Sequence, residues 1–325
     1  MKIGVTGAGG FIGSHLTEAL IARGHEVTCL VRSPRRIHWV RNLPVRVAFG
    51  DVCTGQGLTG FVRDQEVVIH NAGVTKAADM ETYHNTNVGG TAALLSAITS
   101  ANNRLRRFVL ISSQEAMGPS PGGEALGEDA PQAPLSMYGK SKLLAERTLR
   151  DSLDTIPMTV IRPPSVYGPR DRDIFAYFRL AALGITPILG YHVTLSVVYV
   201  KNLVYGIALA VENPFGSFRS YFFTDGPSIT MPQFSELIGT AFGKRQLKIP
   251  IPRFAVRSVG NLSGLYTGLT HRPLLLSRDK IEAMMYENWI ISDQRARAEL
   301  GYRPAYSTAQ GIAESAHWYK EQRWL

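Results

Sequence analysis

The sequence of 325 residues contains little cysteine and no apolar run long enough to span a bilayer. Its two cysteines, Cys29 and Cys53, cannot build a disulfide framework, which favours a reducing compartment such as the cytoplasm. Neither cysteine has neighbours at metal-ligand spacing, so we expect no metal site. The first predicted strand, Lys2–Thr6, begins at once, so we expect no signal peptide before it.

Acidic residues are also scarce relative to basic ones. The chain has 35 Lys and Arg against 26 Asp and Glu, a formal net charge of +9 and a pI near 9.6. Such a balance suits an anionic partner. The arginines are scattered, however, and aromatic residues are not interleaved with them, so we expect no nucleic-acid partner. A small-molecule substrate and an anionic cofactor remain as the expected partners.

What the sequence does contain is a glycine-rich turn placed between a strand and a helical pattern. Gly7, Gly10 and Gly13 follow the strand Lys2–Thr6 and lead into the amphipathic stretch Ile12–Arg23. The first glycine permits a tight turn, the second lets backbone approach a phosphate, and the third lets the helix pack on the strand. The N–H groups and dipole of the helix start then face an anion. This order of elements predicts a dinucleotide site.

A second motif is the Tyr-x-x-x-Lys unit formed by Tyr138 and Lys142. This spacing directs a phenol and an ammonium to one face of a predicted helix. An ammonium nearby favours the phenolate, so Lys142 is expected to lower the pKa of Tyr138 toward neutral pH. Together with the Gly-x-x-Gly-x-x-Gly spacing, this motif resembles the extended branch of the short-chain dehydrogenase/reductase superfamily. That branch includes nucleotide-sugar epimerases and dehydratases, 3β-hydroxysteroid dehydrogenases and dihydroflavonol reductases.

The alternation of apolar runs and helical patterns predicts an α/β fold, a Rossmann-type doubly wound parallel sheet. The predicted strands are Lys2–Thr6, Glu26–Val31, Val45–Phe49, Val67–His70, Phe108–Ser112, Met158–Arg162, Thr194–Val200 and Ser220–Thr224. The resemblance also implies a smaller, mostly helical C-terminal substrate domain that is discontinuous in sequence. We expect residues 1–165 plus about 193–225 in the nucleotide-binding domain, and about 166–192 plus 226–325 in the substrate domain.

The end of the second strand bears on the choice between the two nicotinamide cofactors. Val31 stands where the resemblance implies an acid that would hold the ribose of NAD, and Arg32 follows it. A guanidinium can bind the 2′-phosphate of NADP in a bidentate manner, so we expect NADP, with NAD possible. The cofactor contacts implied by the resemblance are Gly7, Gly10, Phe11, Ile12, Gly13, Arg32, Asp51, Val52, Ala72, Tyr138, Lys142 and Pro163.

The third expected catalytic residue lies at the end of the fifth strand. Counting back from Gly118, as in the Ser-Ser-x-x-x-Tyr-Gly pattern of the family, assigns Ser113 to the set that contains Tyr138 and Lys142. Gln114 stands where dehydratases of the branch have Asp, which argues against dehydration. Candidate substrate contacts are Glu115, Tyr167 and Arg170, with core packing favoured over substrate contact for Tyr167.

These residues predict hydride transfer between a nicotinamide and a moderately apolar hydroxy or keto compound. A nucleotide-sugar epimerase is the alternative, and a cofactor-sensing regulator is a weaker one. The segment Thr194-Leu195-Ser196 lacks the arginine that would clamp a sugar diphosphate. The apolar stretch Pro252–Leu269 favours a core helix of the second domain, and the lining of an apolar pocket or contact with a membrane surface are the alternatives. A homodimer through Gly90–Ser100 and Lys142–Asp151 is possible.

Overall fold

A computed structural model describes residues 1–151, 156–189, 193–213, 216–270, 281, 283 and 285–325. Its centre is a parallel sheet, as the sequence predicts, and it has seven strands. From one edge to the other these are β3 (Arg46–Phe49), β2 (Glu26–Val31), β1 (Lys2–Thr6), β4 (Val67–His70), β5 (Arg107–Ile111), β6 (Met158–Ile161) and β11 (Phe218–Tyr221). The order reverses direction at β1, and ligands of such sheets bind beside the strand ends at that point.

Helices lie on both faces of this sheet. In chain order, the helices of the whole described chain are α1 (Phe11–Ala22), α2 (Leu58–Val62), α3 (Met80–Tyr83), α4 (Gly90–Ala101), α5 (Met137–Arg150), α6 (Phe175–Ala182), α7 (Val200–Glu212), α8 (Met231–Thr240), α9 (Arg253–Thr270), α10 (Gln294–Leu300) and α11 (Thr308–Glu321). Helices α1 and α7 pack together over one face, and α2, α4 and α5 pack over the other. A buried apolar core fills each side, which explains why the central strands are apolar at successive positions.

Short strands outside the main sheet build a second region of the molecule. They are β7 (Ser165–Tyr167) with β10 (Val197–Tyr199), β8 (Ile185–Leu189) with β13 (Leu247–Ile251), and β9 (Thr194–Leu195) with β12 (Ile229–Thr230) and β14 (Asn288–Trp289). The division into two discontinuous domains stays a prediction.

The predicted single strand Thr194–Val200 is wrong. The chain forms β9, changes partners at Ser196 and then forms β10, and α7 already begins at Val200. The cause is local, because the N–H of Ser196 donates to the carbonyl of Trp289 and its hydroxyl accepts from the N–H of Ile291. These bonds belong to the pairing with β14 and end the first strand.

A buried carboxylate joins the C-terminal segment to the rest of the molecule. Asp225 accepts hydrogen bonds from the Tyr167 hydroxyl at 2.7 Å, from the Asn202 amide at 2.7 Å and from the Tyr199 N–H at 2.8 Å. Asn202 in turn accepts from the N–H of Tyr306. Tyr167 is fully buried in this network, so its role is in the core, and the structure contradicts the proposed substrate contact.

Among helices of the described residues, none is both long and apolar enough to cross a bilayer.

Candidate active site

The glycine turn forms a concave backbone surface between β1 and α1. Gly7 has a φ of +68°, and its carbonyl accepts from the N–H of Gly10 at 3.0 Å. A Cβ added to Gly13 would lie 2.2 Å from that same carbonyl oxygen, so only glycine lets the helix start this close. Among the described residues, no acceptor binds the N–H groups of Phe11 and Ile12. These donors and the helix dipole fit an anionic pyrophosphate.

The turn after β2 lies directly against the glycine loop. A Cβ on Gly9 would be 1.8 Å from the carbonyl oxygen of Arg36, so the two backbones are in close contact. The side chains of Arg32, Arg35 and Arg36 are exposed. Within the described part of the chain, no carboxylate pairs with these guanidinium groups, which leaves their donors available to an anion beside the cradle.

Asp51 and Val52 follow β3 at the same edge of the sheet. One carboxylate oxygen of Asp51 accepts from the N–H of Cys53 at 2.9 Å and orders the turn. Val52 is buried and packs against Gly90, where a Cβ would lie 3.0 Å from its side chain. Both residues therefore shape the loop beside the cradle, and the predicted cofactor contact of Asp51 stays a prediction.

The end of β4 approaches the cradle through backbone. The hydroxyl of Thr6 accepts from the N–H groups of Asn71 and Ala72, so its own proton is donated to Nδ1 of His70 at 2.8 Å. His70 is buried, and burial lowers its pKa to about 3, which keeps it neutral. His70 therefore supports the structure. A Cβ on Gly73 would lie 3.4 Å from Lys142 Nζ, so this small residue faces the predicted catalytic lysine.

Helix α5 carries the Tyr-x-x-x-Lys unit, and its first turn packs against the end of β5. The Ser136 hydroxyl caps the helix by accepting from the N–H of Gly139, and it donates to the carboxylate of Glu115. A Cβ on Gly139 would lie 2.3 Å from the carbonyl oxygen of Glu115. Both contacts are close, so Ser136 and Gly139 fix the position of Tyr138 relative to the segment after β5.

Tyr138 lies among polar groups that raise its pKa. Burial is the largest cause, the carboxylate of Glu115 adds to it, and a hydrogen bond from Ser113 opposes it. The net result is a pKa well above the usual range of a phenol. The sequence led us to expect the opposite direction, because it showed the ammonium but neither the burial of the ring nor the neighbouring carboxylate. Ser113 and Tyr138 are nonetheless brought together as predicted.

Lys142 reaches beneath the phenol from the same helix. Its ammonium lies 6.0 Å from the centre of the Tyr138 ring and donates to the carbonyl oxygen of Ile111 at 2.9 Å. Burial lowers the pKa of Lys142 to about 8. Pro163 lies beyond the end of β6, and its carbonyl accepts from the N–H of Gln114 at 2.8 Å, which joins that loop to the segment carrying Ser113.

The next residue on this face of α5 is Glu146, one turn beyond Lys142. Its carboxylate forms a buried ion pair with Arg162, at 2.7 Å, and accepts from the Ser112 hydroxyl at 2.5 Å. Both charged side chains are 1% exposed. The pair anchors α5 to the ends of β5 and β6. It was not predicted from the sequence. Continuing the spacing from Tyr138 through Lys142 by four more residues would have found Glu146.

A second ion pair that the sequence did not reveal crosses the strand ends above Tyr138. Lys76, in the loop after β4, pairs with Asp173, in the segment after β7. Asp173 contributes to the raised pKa of Tyr138, as does Tyr83, whose ring centre is 6.1 Å from that of Tyr138. No motif marks these residues, because the two loops meet only in the folded chain.

Arg170 lies apart from this cluster. It has a φ of +72°, and its guanidinium donates to Ser14 at 3.0 Å and to Glu18 at 2.7 Å. The same group lies 4.7 Å from the centre of a Trp39 ring. These contacts direct Arg170 to α1 and the turn after β2. Arg170 is thus directed toward α1 and not toward Tyr138, and its predicted substrate contact stays a prediction.

The sequence is similar to known proteins over nearly its whole length. Residues 3–220 match the model of the NAD dependent epimerase/dehydratase family. The chain belongs to this family. It is similar to a ceramide reductase of Caulobacter vibrioides, with 27% identity over 99% of this chain and 96% of that protein. It is also similar to a 3-beta-hydroxysteroid dehydrogenase of Mycolicibacterium neoaurum, with 27% identity over 98% of this chain and 92% of that protein.

The fold has close structural relatives. The structure of a UDP-glucuronic acid 4-epimerase from Bacillus cereus, in complex with NAD, superposes with a TM-score of 0.78. It covers 99% of this chain and 97% of that chain at 23% identity. The predicted family, the Rossmann-type fold and an NAD(P)-dependent enzyme of the extended short-chain dehydrogenase/reductase branch are thereby confirmed.

Proposed function

We propose that this enzyme is an NADP-linked reductase of a moderately apolar ketone, or the corresponding dehydrogenase. The observation that carries the proposal is the convergence of Ser113, Tyr138 and Lys142 at the strand ends beside the glycine cradle. The family members it resembles along its whole length include enzymes named for ceramide and for a steroid, both largely apolar compounds.

Each residue of the set has a separate task in this scheme. When bound, the nicotinamide supplies or accepts a hydride at the carbon of the substrate. The Ser113 hydroxyl orients the substrate oxygen, and Tyr138 donates a proton to that oxygen as the carbonyl becomes an alcohol. Lys142 stabilises the negative charge left on the phenol and binds the ribose next to the nicotinamide. Glu115 stays a candidate for a substrate contact, since its carboxylate lies beside Tyr138.

The preference for NADP is supported by the arginine turn. Arg32 and Arg36 are exposed, the backbone of Arg36 contacts Gly9 of the cradle, and within the described chain no carboxylate pairs with either guanidinium. A 2′-phosphate there would receive charge-assisted hydrogen bonds from guanidinium donors. The Bacillus cereus epimerase structure, by contrast, is a complex with NAD. A kinetic preference of this enzyme for NAD over NADP would overturn the assignment.

The decisive experiment measures NADPH absorbance with a panel of ketones and alcohols. We expect net oxidation of NADPH by an apolar ketone. Tyr138→Phe should abolish turnover while leaving NADPH affinity nearly unchanged, and Tyr205→Phe, at a tyrosine away from the site, is the matched control. Full turnover by Tyr138→Phe would refute the mechanism. Interconversion of sugar isomers without net change in NADPH would establish the epimerase alternative instead.

Two further expectations belong to this proposal. The two unpaired cysteines suit a cytoplasmic enzyme. A homodimer through α4 and α5 is expected from the resemblance, and these helices pack side by side on one face of the sheet. Sedimentation of only a monomer at micromolar concentration would remove the dimer.

A further inference from the structure

Helix α9 presents large apolar side chains to water. Phe254 is 73% exposed, Leu262 is 66% exposed and Val259 is 49% exposed. Phe254 and Leu262 are eight residues apart and therefore lie on one face of the helix, two turns from each other. We call the surface that carries Phe254, Val259 and Leu262 the α9 face. Large apolar side chains this exposed, grouped on one helix, indicate an interaction site.

The opposite side of α9 is packed against the protein. Gly260 and Ser263 are buried, and a Cβ on Gly260 would lie 3.2 Å from the side chain of Ile281. The helix therefore has a fixed inner side, and the α9 face points away from it.

Exposed basic residues lie on α9 and in the segment that precedes it. Arg253 and Arg257 are exposed on α9, and Lys244, Arg245 and Lys248 precede it on and beside β13. The sequence contains no Asp or Glu from residue 237 to residue 278. Among the described residues, the carboxylates that pair with this cluster are Glu236, with Lys248, and Glu287, 3.6 Å from Arg253. Apolar side chains interspersed with cations are complementary to an anionic lipid surface.

A cavity of about 1130 Å³ opens beside this face. Its lining includes Phe254 and Arg257 from α9, Met285 and Tyr286 from the following segment, and Leu135. Leu135 immediately precedes Ser136, which caps α5 and holds Glu115. The cavity therefore extends from α9 to Leu135, two residues before the helix that carries Tyr138 begins.

We propose that the α9 face rests on an anionic lipid bilayer and that an apolar substrate enters the cavity from that bilayer. The second step of this inference rests on the proposed function, since it needs an apolar substrate. The first step does not, because it follows from the exposure and charge of α9. The enzyme would be peripheral, with the apolar side chains of one helix reaching the acyl boundary and the arginines contacting lipid phosphates.

Flotation with lipid vesicles tests the first step. The full-length protein should float with vesicles of phosphatidylcholine containing about one third phosphatidylglycerol, and much less with phosphatidylcholine alone. Val259→Asp/Leu262→Asp should lose binding, and Arg253→Glu/Arg257→Glu should reduce it by about tenfold or more, since each cation near the surface contributes roughly fivefold. The matched controls are Val47→Asp and Arg104→Glu, at exposed positions of the same types outside this region.

The outcomes separate the alternatives. Equal flotation of the α9 variants and the controls would overturn the proposal, as would binding that ignores lipid charge. If the wild type self-associates in sedimentation and Val259→Asp/Leu262→Asp is monomeric, with no flotation by either, the face is an interface between copies. NADPH affinity and thermal unfolding establish that each variant is folded.

Turnover distinguishes this proposal from the proposed function. Val259→Asp/Leu262→Asp should reduce a small water-soluble ketone as the wild type does, but should lose activity on a ketone embedded in anionic vesicles. Flotation without turnover of any ketone would refute the proposed function and leave the membrane contact intact. Turnover without flotation would refute the membrane contact alone.

Discussion

Neutralising Glu146 should destabilise the enzyme strongly. Glu146 and Arg162 are 1% exposed, and their carboxylate and guanidinium meet at 2.7 Å. Glu146→Gln keeps the shape of the side chain but leaves the buried Arg162 charge without its directly paired carboxylate. Breaking a buried pair in this way costs about 3–5 kcal/mol, a large fraction of the roughly 5–15 kcal/mol by which a typical protein is stable.

The assay is urea unfolding followed by tryptophan fluorescence, with the free energy of unfolding as the measured quantity. Glu236→Gln is the matched control, because the pair of Glu236 with Lys248 is about half exposed and should contribute about 0–1 kcal/mol. Glu146→Leu/Arg162→Met removes both charges and should lose less stability than Glu146→Gln, since no charge is then left unpaired. The reasoning is refuted if Glu146→Gln costs no more than Glu236→Gln.

Three shorter predictions concern the cofactor site and pH. Arg32→Asp should shift the ratio of kcat/KM for NADPH over NADH toward NADH, and an unchanged ratio would clear Arg32 of any contact with the 2′-phosphate. Gly13→Ala should weaken NADPH binding roughly tenfold or more in a fluorescence titration, because its methyl would meet the Gly7 carbonyl, whereas Gly60→Ala, with nothing within 4 Å, should have no effect. Burial lowers the pKa of Lys142 to about 8. From about pH 8 to 10.4, Lys142 therefore binds fewer protons in the folded enzyme than in the unfolded chain. Over that range its contribution to the free energy of unfolding should rise with pH. Over the same range kcat/KM should fall as the ammonium is lost; a flat pH profile would contradict a role for its charge.

The glycine cradle could be predicted from the sequence because it is built from backbone in the turn between β1 and α1. Glycine spacing reports directly where a Cβ would clash, as Gly13 does against the Gly7 carbonyl. The seven-stranded sheet was equally accessible, since strands buried on both faces are apolar throughout. The helical spacing of Tyr138 and Lys142 was likewise a local property of α5.

Other features depend on contacts between distant segments, and the sequence alone did not reveal them. The break at Ser196 follows from pairing with Trp289, almost a hundred residues later. The direction of Arg170 follows from Ser14 and Glu18 on α1. The rise in the pKa of Tyr138 follows from burial and from Glu115, which depends on how the segment after β5 packs on α5.

That rise in the pKa of Tyr138 bears on the direction of the reaction. A phenol whose pKa is raised keeps its proton at neutral pH, so the chain's own groups prepare Tyr138 to donate rather than to accept. An alkoxide forming on a reduced ketone is a stronger base than a phenolate, and it can still take that proton. Oxidation of an alcohol needs the phenolate first, against the burial and the Glu115 charge that oppose it. Ser113 offsets part of this cost. In our proposal Lys142 offsets more of it, but only while Lys142 is protonated, below a pH of about 8. Near neutral pH the chain's own groups therefore hold Tyr138 in its protonated form, which is the form that the proposed reduction of a ketone uses.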